Sequence, residues 1–164
     1  MADKELFAYC LVRTDLPSLG AGKAIAHGMH AGNKMTWDLC VVPLRNGEEI
    51  DNDVMAWHAQ GGGFGTTIAL GKGREITLAT QTAIVDAVRA LGGKGDQVID
   101  TSYPYLVDNE IVPFMNPDIH TMPPVSGPPG QTVCFRNEIT TAYVFGDKTM
   151  LKIVLGQFGL YPND

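Results

Sequence analysis

The sequence predicts an α/β fold: a mixed sheet of about four strands with helices on both faces. Short apolar runs of strand character recur at 7–12 (FAYCLV), 66–70 (TTIAL) and 140–145 (TTAYVF). Between them lie segments whose apolar residues repeat at helical spacing, above all 74–91. The order strand, helix, strand, helix, strand, strand, helix puts helices on both sides of one sheet. At 164 residues, the chain is expected to form one domain, 1–164, with a core large enough to fold alone.

Residues 7–12 read as a buried strand. Asp15, Leu16, Pro17 and Ser18 break it with turn chemistry. Gly20 and Gly22 then bring a loop up to Lys23, and an Ala-rich helix follows. At about 100° per residue, Lys23, His27, His30 and Lys34 share one narrow stripe. Ile25, Met29 and Met35 point away from it. The expectation is that this apolar side packs on the sheet while the four cation-capable groups look outward.

Residues 35–42 continue the helix or form a short buried piece. A polar loop spans 43–53 with Asn46-Gly47 as its turn, and 53–58 is a short helix. The Gly-rich run 60–65 reads as a flexible loop, since no Lys-Ser/Thr follows it to suggest a phosphate cradle. After strand 66–70, Gly71-Lys72-Gly73 turns the chain. Helix 74–91 carries Ile76, Thr80, Ile84, Val88 and Leu91 on one stripe and ends at Gly92-Gly93. Residues 97–100 form a short strand ending on Asp100. Pro104, Pro113, Pro117, Pro123, Pro124, Pro128 and Pro129 then exclude regular structure and predict a long loop over about 103–137. The last strand leads to a helix with Asp147 as N-cap. Met150, Leu151, Ile153, Val154 and Phe158 supply its core face.

Net charge is −6, which weighs against a broad nucleic-acid surface. The charge is unevenly placed, however: acids gather at 48–53 and 96–110, while Arg13, Lys23 and Lys34 cluster in the opening segment. This distribution leaves room for a local positive site on an acidic protein. Cys10, Cys40 and Cys134 show neither metal spacing nor a disulfide framework. The expectation is a protein of the reducing cytoplasm, without metal or cofactor. No signal peptide and no membrane-spanning run is expected.

The stretch from Arg13 to His30, RTDLPSLGAGKAIAHGMH, resembles the opening motif of the archaeal and eukaryotic (type II) peptidyl-tRNA hydrolases. That motif runs roughly R-x-D-L, a short Gly/Lys loop, G-K-x-A-A-Q, then H-A. This chain has one extra residue between Asp15 and Lys23, and His27 stands where the family usually has Gln. Asp100 sits where the family closes a strand with Asp. Residues 140–146 (TTAYVFG) are similar to its late T-V-L-A-I-G strand, and 155–160 to its closing helix and tail. After Asp100 the family's A-G-R-T-Q is replaced by Thr101-Ser102-Tyr103-Pro104-Tyr105, and the Pro-rich loop is inserted.

The resemblance implies a three-layer α/β/α sandwich around a four-stranded mixed sheet. It also implies an esterase that cleaves the bond between a peptide and the terminal ribose of a tRNA, an activity of translation. Such chemistry needs an activated water, a stabilised oxyanion and a grip on phosphate. By resemblance, Lys23, Asp100, Thr141 and His30 are the catalytic candidates. Lys23 would stabilise an oxyanion or hold phosphate. Asp100 would orient Lys23 or accept a proton, and Thr141 would hydrogen-bond substrate. His30 would pair with a carboxylate or act as a base. Arg13, Asp15, His27 and Lys34 are the substrate-binding candidates. The partner is peptidyl-tRNA or another small ester, and the inserted loop suits a lid or a homodimer contact.

The same residues have plainer readings. Lys23 can be a solvated charge, and His27 and His30 packed structural rings. Asp15 can cap a turn, Asp100 can bind loop amides, and Thr141 can fill a sheet face. His58 and His120 have no partner at metal spacing. Trp37 and Trp57 suit core or rim better than base stacking. The lost motif after Asp100, the acidic charge and the insertion together suit a non-catalytic relative that binds a small molecule or a protein.

Overall fold

Alternation along the first strand sets the layers. In β1 (Leu6–Val12) every residue is buried, so both faces of the strand need a cover. Phe7, Tyr9 and Leu11 enter one core cluster; Leu6, Ala8 and Cys10 enter the other. The computed structural model of the protein describes residues 4–16, 20–62, 65–71, 73–108, 125–126 and 131–161; for 101–108, 125–126 and 131–136 the backbone alone is described. Pro17, Ser18, Lys72 and His120, and with it most of the expected Pro-rich loop, lie outside those residues.

Helix α1 (Ala21–Thr36) runs through a π-helical turn (Trp37–Val41) into the short α2 (Val42–Arg45). Helix α3 (Asn52–Ala59) follows, with the Asp51 carboxylate accepting from Asp53 N. Then come β2 (Thr66–Leu70) and α4 (Leu78–Ala90). β3 (Lys94–Asp108), the two-residue β4 (Val125–Ser126), β5 (Gln131–Asp147) and α5 (Lys148–Gln157) complete the order. The sheet path is β2-β1-β5-β3, with β4 added on β5. β1 and β2 are parallel, whereas β5 is antiparallel to both β1 and β3, so the sheet is mixed. Ala31 and Met35 of α1 and Val54 and Trp57 of α3 cover one face. Ile84, Val85 and Val88 of α4 with Leu151, Val154 and Leu155 of α5 cover the other. This is the expected α/β/α sandwich.

Local chemistry explains the boundaries. Thr77 caps α4 by accepting from Thr80 N, so the helix begins later than the apolar stripe suggests and Ile76 is buried ahead of it. Asp147 caps α5 as expected, accepting from Thr149 N and Met150 N. Ile153 is exposed, however, and Leu155 takes its place in the core. Gly65, at φ +64°, lies against the Trp57 indole, where any Cβ would overlap the ring. Trp57 is buried and donates Nε1–H to Thr66 O at 3.1 Å. Trp37 is exposed, with the Arg45 guanidinium 5.5 Å above its ring. Among the described residues no helix is long and apolar enough to cross a membrane.

Two expectations are corrected. Prolines do not exclude regular structure near the loop's ends. β3 does not stop at Asp100 but runs to Asp108, and β5 starts at Gln131, with Pro104 paired opposite Phe135. β3 is the outer strand of the sheet, and an outer strand tolerates proline where its missing donor faces away from the ladder. The face of α1 is also turned in part: Met35 is buried and His30 exposed as expected, but the rest of the packed side differs. His27, Ala31 and Met35 are its buried residues, whereas Ile25 and Met29 are 67% and 65% exposed. Small Ala31 lets the helix axis approach the sheet, which turns the cation stripe toward β3. There Asp96 and Asp100 supply opposite charge.

Candidate functional site

The site forms where the first turns of α1 lie over the junction of β1, β5 and β3. Gly20 is the N-cap in extended conformation, so Lys23 lies in the first helical turn rather than on a loop. Lys23 is half-buried and His27, one turn on, is buried. His30 is exposed and meets the His27 ring edge-on at 5.7 Å between centroids. Asp100, half-buried on β3, acts on the same imidazole from the sheet side. Burial holds the His27 ring below its ordinary pKa. The Asp100 charge opposes that shift, and the His30 and Lys23 charges add to it. Lys23, His27, His30 and Asp100 are therefore electrostatic neighbours around one imidazole.

The strands shape this corner through an irregular ladder. Val98 pairs with Thr141, but Ile99 pairs with Ile139, so Thr140 is the extra residue of a bulge. Thr140 is fully buried, and its Oγ1 has no hydrogen-bond partner among the described residues. Past the bulge, Asp100 falls opposite Glu138. Directly opposed residues on antiparallel strands share a face. Glu138 thus brings a second carboxylate to the corner. Sequence reading missed it, because it borders the Pro-rich stretch and only the strand register reveals its partner.

Several candidate residues are committed to internal bonds. The buried Arg13 grips Asp15 in a fork, Nε to Oδ1 at 2.8 Å and Nη2 to Oδ2 at 2.8 Å. Its Nη1 bonds Glu138 and, at 2.8 Å, Ile139 O. The Arg13 hydrogen bond holds the Asp15 carboxyl below its usual range. These two residues tie the end of β1 to the start of the bulge. Thr141 is fully buried, opposite Val12 and Val98, and its hydroxyl donates to Leu11 O at 2.9 Å. Its one proton is thereby used inside the sheet. Gln81 Nε2 donates to the same carbonyl at 2.7 Å from α4.

Lys34 lies at the other end of the stripe. It bonds Asp38, and Asp96 at 2.8 Å. Burial pulls the Lys34 pKa down, but the two carboxylates outweigh it and the net direction is up. Tyr143 donates to Asp38 at 3.0 Å, and Arg89 holds Asp96 at 3.0 Å. Beside this network, along β3 and β5, lies a cleft of about 420 Å³, lined by Lys34, Asp96, Gln97, Val98, Ile99 and Ile139. The corner offers an ammonium, a desolvated imidazole and two carboxylates, and the cleft begins one residue along each strand from Asp100 and Glu138, at Ile99 and Ile139. It suits binding an anionic or ester group and moving a proton near it. Among the described residues, no three His, Cys, Asp or Glu side chains gather as metal ligands. A scan of protein-family models finds none that matches this chain, and a search of curated proteins finds no match.

Proposed function

We propose that this chain is a hydrolase of the peptidyl-tRNA type, cleaving a carboxylic ester between an acyl or peptidyl group and a ribose hydroxyl. The observation that supports the reading is that Lys23, one turn before His27 on α1, and Asp100, far off in sequence on β3, both act electrostatically on the His27 imidazole. Lys23, in the first helical turn, stabilises the negative charge that develops on the carbonyl oxygen, aided by the positive end of the helix. Asp100 compensates the local positive charge and orients its neighbours. His30, exposed beside them, is placed to meet the phosphate or ribose end of the substrate. Thr141 and Arg13 serve by holding the corner's shape rather than by touching substrate.

The test is release of labelled peptide from peptidyl-tRNA by the purified full chain, and by Lys23→Ala. Turnover falling at least about 100-fold in Lys23→Ala, with unchanged thermal stability, is expected. Full turnover by the variant, or none by the natural chain, refutes the reading.

One observation favours a second reading, a binding module without catalysis. Arg13 and Lys34 are held by carboxylates, which leaves less positive charge to grip a tRNA backbone on a protein of net charge −6. Tight salt-insensitive binding of a small ester or acid, with no turnover, would single it out.

A further inference from the structure

We propose that β2 is a pairing edge whose partner is β2 of a second copy of this chain, joined antiparallel across a two-fold axis. Both ends of the sheet path are outer strands, but they are guarded differently. An outer strand leaves a row of backbone N–H and C=O groups without a strand partner, and natural sheets blunt such edges with charge, proline or a bulge. β3 has all three: Lys94, Asp96, Asp100 and Asp108, then Pro104, and a register shift after Val98. β2, Thr-Thr-Ile-Ala-Leu, has none, and its pairing with β1 is regular from Thr66 to Leu70. Thr66, Thr67, Ile68 and Ala69 are exposed. Thr67 and Ala69 line an open apolar groove of about 490 Å³ with Ile25 and Met29 of α1. Among the described residues, nothing fills the space between α1 and this edge.

Charge selects the occupant. The chain carries net charge −6, so two copies repel least where uncharged surfaces meet. From Val54 to Gly71 there is no Asp, Glu, Lys or Arg. The strand is also suited to face itself. An antiparallel pair centred on Ile68 sets Thr66 opposite Leu70 of the partner subunit and Thr67 opposite Ala69 of the partner subunit. The two Ile68 side chains then meet on the axis. β-Branched cross-strand pairs of this kind stabilise adjacent strands. Thr67 and Ala69 pair with Ala8 and Cys10 of β1, which face α1. Directly opposed residues share a face, so both copies turn their α1 layers to the same side. The two sheets become one, and the two grooves join across the seam. A two-fold contact uses each β2 edge once and closes, so assembly stops at a dimer. The outer strands that remain are the guarded β3 edges.

The experiment is sedimentation velocity of the full chain from about 1 to 100 μM, a range suited to a small interface of micromolar affinity. The natural chain is expected to pass from monomer to dimer across it. Ile68→Glu sets like charges opposite each other on the axis and is expected to weaken association at least about 30-fold. Ile68→Lys is expected to do the same. An equal mixture of the two variants is expected to pair again, because opposite charges then meet. Circular dichroism melting of each variant separates lost pairing from lost folding; Ile68 is 36% exposed, so the monomers are expected to stay folded. Met29→Glu, beside the strand but off it, is expected to change association less than about threefold. A natural chain that stays monomeric throughout overturns the proposal, as does Ile68→Glu associating like the natural chain. Folded variants whose mixture fails to pair overturn the register centred on Ile68. Association lost in Met29→Glu but kept in Ile68→Glu assigns the contact to α1 and overturns the strand pairing.

Discussion

Replacing Arg13 by Met separates a structural arginine from a substrate-binding one. The change keeps most of the apolar stem and deletes the guanidinium. In the native protein that group bonds both oxygens of Asp15, Glu138 and the carbonyl of Ile139. The losses differ in size. Asp15 is 37% exposed at its side chain and water replaces much of what it loses, so its share is about 0.5–1 kcal/mol. Glu138 is only 12% exposed and keeps its charge with less to balance it. Stranding it and the Ile139 carbonyl costs about 1–3 kcal/mol each. The low end of these shares, about 3 kcal/mol, is the expected total because the neighbourhood relaxes, and it matches the lower cost of breaking a buried ion pair from one side. For a chain of this size the melting temperature should fall by about 6–12 °C. Urea unfolding followed by circular dichroism measures it. Adding Glu138→Gln to Arg13→Met should recover about 1 kcal/mol or more, because the stranded charge is gone. If Arg13→Met stays within about 1 kcal/mol of the natural protein, the clamp is not structural and the reasoning fails.

Two further perturbations test other parts of the fold. Gly65→Ala should destabilise by about 2 kcal/mol or more and shift the Trp57 emission, since φ +64° strains Ala and its Cβ overlaps the indole; an unchanged urea midpoint would show that the contact is not tight. Burial lowers the His27 pKa in the folded state, so the unfolded chain binds more protons as pH falls below about 6.5. Its contribution to stability is full above that pH and is lost as pH drops toward the folded value, by up to about 1.4 kcal/mol per unit. Urea midpoints at pH 7.5 and 5.5 should therefore differ less in His27→Gln than in the natural chain; equal differences would refute the point.

Much of the architecture could be read from residue order, because the signals are local. A doubly buried apolar run marks β1, TTIAL marks β2, and the Asp147 cap fixes where α5 begins, whereas the Thr77 cap, which starts α4 later than its apolar stripe implies, was missed. Periodicity also put Lys23, His27, His30 and Lys34 on one stripe of α1. Which way the stripe faces is not a property of the helix alone. It depends on which flank finds a sheet, and Ala31 with Met35 outcompeted the larger Ile25 and Met29 because the small residue allows close approach. Pro104 and its neighbours signal a break, yet the outer position of β3 removes the penalty that makes proline a breaker.

Residue order alone was enough for the layers, the Asp147 cap and the identity of the charged groups near the opening motif. Tertiary structure decided which of those charges remain in play at the corner. Arg13 and Lys34 look like ligand-binding cations until carboxylates from Glu138 and Asp96, more than sixty residues away, are brought onto them. Register does the rest: one extra residue at Thr140 shifts the ladder and sets Asp100 opposite Glu138. Charge pairing at such a distance depends on strand order and bulge position, and neither leaves a local trace in the chain.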